Sequence, residues 1–130
     1  MSVHHTSGVV AWSDTDASGR FHYTAAYRWA ENTEHALYRS VLPGIDIGRF
    51  PRRATAASYH RPLLAGDEYA LGLEVEHVGN SSITYTWIVS GPTGICVRGE
   101  HTVVHVDADG RPAPVPQALR DRLTPAAGAA

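Results

Sequence analysis

The chain contains a single cysteine, Cys96, and no lysine; all eleven of its basic side chains are arginine. One thiol excludes an internal disulfide and any site built on several thiolates. Cys96 lies in the apolar run Gly94-Ile95-Cys96-Val97 and reads as a buried small hydrophobe rather than a nucleophile. No apolar run approaches the roughly 20 residues that span a bilayer, so no membrane partner is expected. The opening Met-Ser-Val-His-His has neither a basic start nor an apolar stretch, so no secretion signal is expected and the default compartment is the cytoplasm. A net charge of -2 supplies no field for general nucleic-acid binding. The eight histidines show no HExxH-type spacing, so neither a catalytic metal nor another cofactor is expected. Gly-rich phosphate loops, internal repeats and dividing linkers are missing too.

What is present fits one α+β domain over residues 1–130, in which a hydrophobic content of 43% is enough for an ordinary core. Residues 7–13 read as a short strand, stopped by the turn formers Asp14-Thr15-Asp16-Ala17-Ser18-Gly19. From Thr24, a candidate N-cap, to about Val41 there is no Gly or Pro, and Ala26, Trp29, Ala30, Thr33, Leu37, Ser40 and Val41 share one helical face. The opposite flank carries Arg28, Glu31, Glu34, His35 and Arg39, and Pro43-Gly44 ends the helix. Segments 52–60, 68–78, 82–90 and 95–106 have strand character, and the short breaks between them suit an antiparallel meander. In the last of these, His101, Val103 and His105 share one face and Thr102, Val104 and Val106 the other, and the two histidines read as half-exposed strand residues. A short helix is expected near 116–123, and 124–130 as a frayed tail. The aromatics Trp12, Trp29, Tyr59, Tyr69, Tyr85 and Trp87 read by default as core or interface packing.

The densest polar feature is the turn at 14–19. A carboxylate just ahead of a helix start faces unpaired backbone N–H groups and the positive end of the helix dipole. The same N–H groups can donate to a carbonyl oxygen that becomes negative during acyl transfer, which places a reactive carboxylate beside an oxyanion stabiliser. Capping of the turn by Asp14 and Asp16 accounts for the pattern equally well.

Asp14-Thr15-Asp16-Ala17-Ser18-Gly19 followed by His22-Tyr23, Tyr27-Arg28-Trp29 and Glu31 resembles the signature of the 4-hydroxybenzoyl-CoA thioesterase branch of the hot-dog fold. The resemblance continues through Tyr59-His60-Arg61-Pro62-Leu63, Gly66-Asp67-Glu68, Gly79-Asn80-Ser81-Ser82 and Val106 to Arg111, covering almost the whole chain. It implies an antiparallel sheet of about five strands wrapped round one long helix, and a homodimer or dimer of dimers with the site at a subunit interface. It implies hydrolysis of an acyl thioester of coenzyme A or of an acyl carrier protein. Asp16 would be nucleophile or general base, and the backbone N–H of Tyr23 would polarise the carbonyl. Tyr27, Tyr59 and Arg61 are candidate substrate contacts, and Ser81 and Ser82 read equally as polar contacts to the pantetheine arm or to water and as turn residues with Asn80.

The turn Gly79-Asn80-Ser81-Ser82 departs from relatives that carry basic residues there to hold the nucleotide. Arg49, Arg52, Arg53 and Arg61 are the remaining basic candidates for coenzyme A phosphates or an acidic carrier protein, and any of them also reads as solvated rim. A related branch uses a helix-borne glutamate, which makes Glu31 the second-choice catalytic carboxylate, although a Glu31/His35 pair one turn apart is also ordinary helix surface. The alternatives to hydrolysis are a non-catalytic acyl-thioester-binding module and a hot-dog dehydratase or hydratase, which needs a positioned His with a carboxylate.

Overall fold

The computed structural model describes residues 3–123. Strand β1 (Val3–Val9) leads through a single 3-10 turn at Trp12–Asp14 to helix α1 (Ala25–Val41), followed by β2 (Arg52–Tyr59), β3 (Glu68–Val78), β4 (Ser82–Gly91), β5 (Gly94–Val104) and α2 (Gln117–Leu123). The expected tail at 124–130 lies outside the described residues.

Helix α1 starts and stops where the local signals put it. Thr24 is the N-cap, and beyond the C-cap Leu42 the chain turns at Pro43-Gly44, with Gly44 at a positive φ of 89°. Its buried face differs from the expected one. Ala25, Ala26, Trp29, Ala30, Thr33, Glu34 and Tyr38 are buried, whereas Ser40 is exposed and Leu37 and Val41 only half-buried. A stripe chosen by apolarity alone puts Glu34 outside; partners from two strands bring it in.

The five strands form one antiparallel sheet in the order β1-β3-β4-β5-β2. Only β3-β4-β5 is the expected meander. Strand β2 pairs with β5 at the far edge, Tyr59 opposite Val97 and Thr55 opposite His101. The link from β2 to β3 must therefore cross the end of the sheet. It does so as residues 60–67, tied down by His60 N–H to Cys96 O (2.7 Å), Phe21 N–H to Leu63 O (2.8 Å) and Gly66 N–H to Val10 O (2.8 Å). Strand β1 also differs from expectation. It spans Val3–Val9, paired with β3 from Glu74 to Glu68, and ends before Trp12 because Asp14 folds back onto Ala11, its N–H donating to Ala11 O and its Oδ2 accepting from Ala11 N–H.

The core fills the space between α1 and the inner sheet face, where Leu71, Leu73, Val75, Ile83, Tyr85, Trp87, Val89, Val97 and Val103 alternate inward along β3, β4 and β5. Cys96 is buried among them as expected. Gly99 has to be glycine: a Cβ there would run into the indole of Trp87, its cross-strand partner. Trp12, in contrast, is 81% exposed and belongs to no core.

Candidate active site

The crossing segment, the turn after β1 and the start of α1 meet at one end of the sheet. Between them lies an open cleft of about 370 Å3 lined by Asp16, Ser18, Arg20, Phe21, Tyr23, Tyr59, His60, Arg61 and Pro62. Asp16 opens a tight turn closed by Gly19 N–H to Asp16 O (3.0 Å), with Gly19 at φ +79° and Asp16 N–H donating to Arg20 O (3.0 Å). Its exposed carboxylate accepts from Ser18 N–H (2.8 Å) and Ser18 Oγ–H (2.6 Å), both on Oδ1. Oδ2 takes no hydrogen bond among the described residues. Ser18's hydroxyl and then its N–H hold the Asp16 carboxyl below its ordinary range, opposed by desolvation and helped last by the charge of His22. Asp16 is therefore an ionised acceptor with one oxygen facing solvent.

Asp14 is committed elsewhere: its Oδ1 pairs with Arg28 Nη2 at 2.6 Å and its Oδ2 accepts from Ala11 N–H. Tyr23, immediately before the N-cap, has a backbone N–H that donates to nothing among the described residues. Its neighbours are engaged, Thr24 N–H with His22 Nδ1 (3.2 Å) and Ala25 N–H with His22 O (2.9 Å). The Tyr59 hydroxyl donates to Tyr23 O at 2.5 Å, and its ring tilts against Phe21, which stacks on Trp29, which stacks on Tyr69. Asp16, Tyr23, Tyr59 and Arg61 thus share one cleft.

A second carboxylate cluster escaped the sequence reading. Glu34 is fully buried, with Oε2 accepting from Tyr38 Oη (2.7 Å) and Oε1 facing His101 Nε2 (2.8 Å) and Arg52 Nη2 (3.1 Å). His101 is 2% exposed rather than half-exposed. The indole N–H of Trp87, which can only donate, points at His101 Nδ1 (3.2 Å), so Nδ1 is the acceptor and Nε2–H donates to Glu34. Tyr85 Oη donates to Tyr38 Oη (2.9 Å), and Arg52 reaches Glu31 with its other nitrogen (3.4 Å). Burial pushes the Glu34 carboxyl up, but the His101 bond, the Tyr38 bond and the Arg52 charge outweigh it and hold the group below its ordinary range. No buried side-chain polar atom among the described residues is left without a partner.

Residues 10–123 match the thioesterase-like superfamily. The chain belongs to that superfamily. No curated protein sequence matches it. Among solved structures, this superfamily member resembles a thioesterase from Thermus thermophilus complexed with coenzyme A and Zn, at 25% identity, TM-score 0.85, and coverage of 93% of this chain and 97% of that one. A predicted thioesterase from Bacillus stearothermophilus shares 23% identity at TM-score 0.86 over 94% of each chain. A 1,4-dihydroxy-2-naphthoyl-CoA thioesterase from Synechocystis shares 16% identity at TM-score 0.81, covering 94% of this chain and 96% of that one. The last two likenesses concern the fold, and the hot-dog arrangement expected from the sequence is the one found.

The remaining expected site residues are dispersed in this thioesterase-like chain. Ser81 and Ser82 sit at the β3–β4 turn, about 33 Å along an 11-residue strand from the end that carries the cleft. Arg120 of α2 donates there to Gly79 O (2.7 Å) and Asn80 O (3.1 Å), so α2 brings to the neutral turn a guanidinium that the turn sequence lacks. Tyr27, half-buried and edge-on to Trp87, does not line the cleft but stands beside Tyr59, which does. Glu31 is absent from the cleft lining and pairs with Arg52. Of the arginines considered for steering, Arg52 is spent on Glu31 and Glu34 and Arg49 pairs with Asp46 (3.0 Å), which leaves Arg53 and Arg61 without an ion-pair partner among the described residues. No helix among the described residues is long and apolar enough to cross a membrane, and no three His, Cys, Asp or Glu side chains among them gather as a metal site.

Proposed function

We propose that this chain hydrolyses an acyl thioester, with Asp16 as the reacting carboxylate and the Tyr23 N–H as donor to the carbonyl oxygen. One observation carries the reading: an exposed carboxylate with a free oxygen and an undonated backbone N–H line the same cleft at the start of the long helix. In the nucleophilic form Oδ2 attacks the carbonyl carbon, the C–S bond breaks, the thiolate leaves, and water then hydrolyses the acyl anhydride to restore Asp16. In the general-base form Asp16 takes a proton from the water that attacks. Label found in Asp16 after single turnover in 18O-water would establish the anhydride route, since it can enter only by attack of water on the Asp16 carbonyl of the anhydride.

Coenzyme A is the first carrier to test, because the Thermus thermophilus relative is a thioesterase complexed with it. Acyl carrier protein is the second. With Arg52 internal, steering of an acidic carrier would fall to Arg53 and Arg61, and its reaction should slow as salt rises.

The site is proposed to be completed by a second copy. Strand β2 offers an unpaired edge of small residues, Ala54, Thr55, Ala56, Ala57 and Ser58. Two such edges paired about a two-fold axis run antiparallel, which would carry the partner's β3–β4 turn towards this cleft, where its two serines would serve substrate. Sedimentation should then show a dimer or a dimer of dimers.

The test is hydrolysis of a panel of aryl, medium-chain and β-keto thioesters by wild type and Asp16→Asn. Binding without turnover would favour the acyl-thioester-binding module. The dehydratase reading needs an accessible His with a carboxylate, and the one His–carboxylate pair among the described residues, His101–Glu34, is enclosed with both ring nitrogens engaged.

A further inference from the structure

Tyr59 lines the cleft, yet its hydroxyl is already used. It closes a hydrogen bond of 2.5 Å across 36 residues of chain, from the last residue of β2 to the carbonyl of Tyr23. Tyr23 lies in the turn from His22 to Ala25 that leads into the helix, and its carbonyl precedes the first helical acceptor, Thr24 O, which takes Arg28 N–H at a long 3.3 Å. Before Tyr23 the chain is pinned by Ala25 N–H to His22 O; after it, the Tyr23–Thr24 peptide is held locally by Thr24 N–H on His22 Nδ1 (3.2 Å) and, from β2, by the Tyr59 hydroxyl on the carbonyl. Tyr59 is itself firmly placed: its ring leans on Phe21, and His60, the next residue, donates its N–H to Cys96 O (2.7 Å). Partial burial, and the neighbouring Tyr27, push the phenol well above its ordinary value, so it remains a donor wherever the protein works.

We propose that Tyr59 is a positioning residue which, by holding the Tyr23 carbonyl, fixes the direction of the Tyr23 N–H, and that it does not itself contact the reacting thioester through its hydroxyl. A donor aimed at an oxyanion is effective only while its direction is set beforehand, because reorienting it during the reaction forfeits the stabilisation. The tether acts on the far side of the same Cα that carries the donor. This rests on the thioesterase reading above.

The test is Tyr59→Phe, which removes one oxygen and keeps the ring against Phe21. For the best thioester of the panel, kcat should fall roughly tenfold, the scale of one hydrogen bond, with KM within about twofold of wild type. The 15N order parameter of the Tyr23 amide should drop from the rigid range near 0.85 towards about 0.6, with those of β3 and β4 unchanged. An unchanged kcat, or a raised KM with kcat retained, would overturn the proposal, the second result by showing that the hydroxyl binds substrate. An unchanged Tyr23 order parameter would overturn it as well. Asp16→Asn is measured in parallel: if that variant keeps full activity the thioesterase site is misassigned, and the amide dynamics alone then decide whether Tyr59 holds Tyr23.

Discussion

Asp16 and Glu34 are carboxylates just ahead of the long helix and midway along it, and the protein treats them in opposite ways. Asp16 is exposed, takes its only hydrogen bonds from Ser18 two residues away, and leaves one oxygen free. Glu34 has no exposed surface, and both its oxygens are filled, by Tyr38 from its own helix, Arg52 from β2 and His101 from β5. Both are held below their ordinary pKa, one by a local turn and the other by tertiary structure. A depressed pKa therefore does not mark a reactive carboxylate here; an unfilled oxygen in a cleft does.

The comparison breaks if removing Glu34 costs activity more than stability. Glu34→Ala leaves the His101 Nε2–H and the Tyr38 hydroxyl without their acceptor in the interior and takes the nearer carboxylate from Arg52, which keeps Glu31; each stranded buried donor costs about 1–3 kcal/mol. The two together are a large part of the roughly 5–15 kcal/mol typical of a whole domain. Urea melts should show it, while kcat of the folded fraction stays within about threefold. Asp16→Asn should do the reverse, lowering kcat by roughly a hundredfold or more with an unchanged melting temperature. If Glu34→Ala abolished turnover in protein that still folds, the buried cluster would have to be moved into the site.

Glu31 sharpens the contrast, because it shares Arg52 with Glu34 but stands 48% exposed at 3.4 Å. A partly solvated pair of this kind is worth at most about 1 kcal/mol. Glu31→Gln should therefore shift stability by less than that and leave kcat within about twofold. A dead Glu31→Gln would favour a helix-borne glutamate as the reacting group.

The same contrast explains what the sequence made legible. The Asp16 turn and the bounds of α1 are written in neighbours: Gly19 for the left-handed turn, Thr24 for the cap, Pro43-Gly44 for the stop. Each strand segment shows its own alternation. Pairing is not local, so β2 reads as the first strand of a meander when in fact it lies against β5, and the turn formers from Pro62 to Gly66-Asp67 mark a break without showing that segment 60–67 crosses the sheet end and walls the cleft. Glu34, His101 and Arg52 are separated by up to 67 residues, and each looks like surface until β2 and β5 are placed beside each other. The Tyr59 hydroxyl bond to Tyr23 is hidden for the same reason. Trp12 reads as core or interface packing because of its type, and its 81% exposure in the single chain removes the core half of that reading.

The finest separation uses pH, since the two carboxylates should govern two different acid transitions. Glu34 has a folded pKa below its ordinary value near 4.5, so its contribution to stability is present above that value and is lost as pH falls through the lowered one. It should therefore appear in the acid unfolding midpoint. Asp16 is exposed and ionised before and after folding at working pH, so its protonation should appear in the acid limb of kcat/KM instead. Ser18 tells them apart. Its hydroxyl is the largest influence holding Asp16 down, ahead of its N–H. Ser18→Ala removes the hydroxyl and keeps the N–H, so the Asp16 pKa should rise towards its ordinary value. The acid limb should move to higher pH, with no change in rate near pH 7, where both forms of the enzyme carry an ionised Asp16. The acid unfolding midpoint should move far less than in Glu34→Gln, because Asp16 is exposed and Ser18 touches nothing in the Glu34 cluster; what movement there is comes from the lost depression of the Asp16 pKa and is towards lower stability in acid. Glu34→Gln should give the complementary result, moving the unfolding midpoint and leaving the limb alone. If Ser18→Ala left the limb where it was, the group titrating in turnover would be a carboxyl other than Asp16.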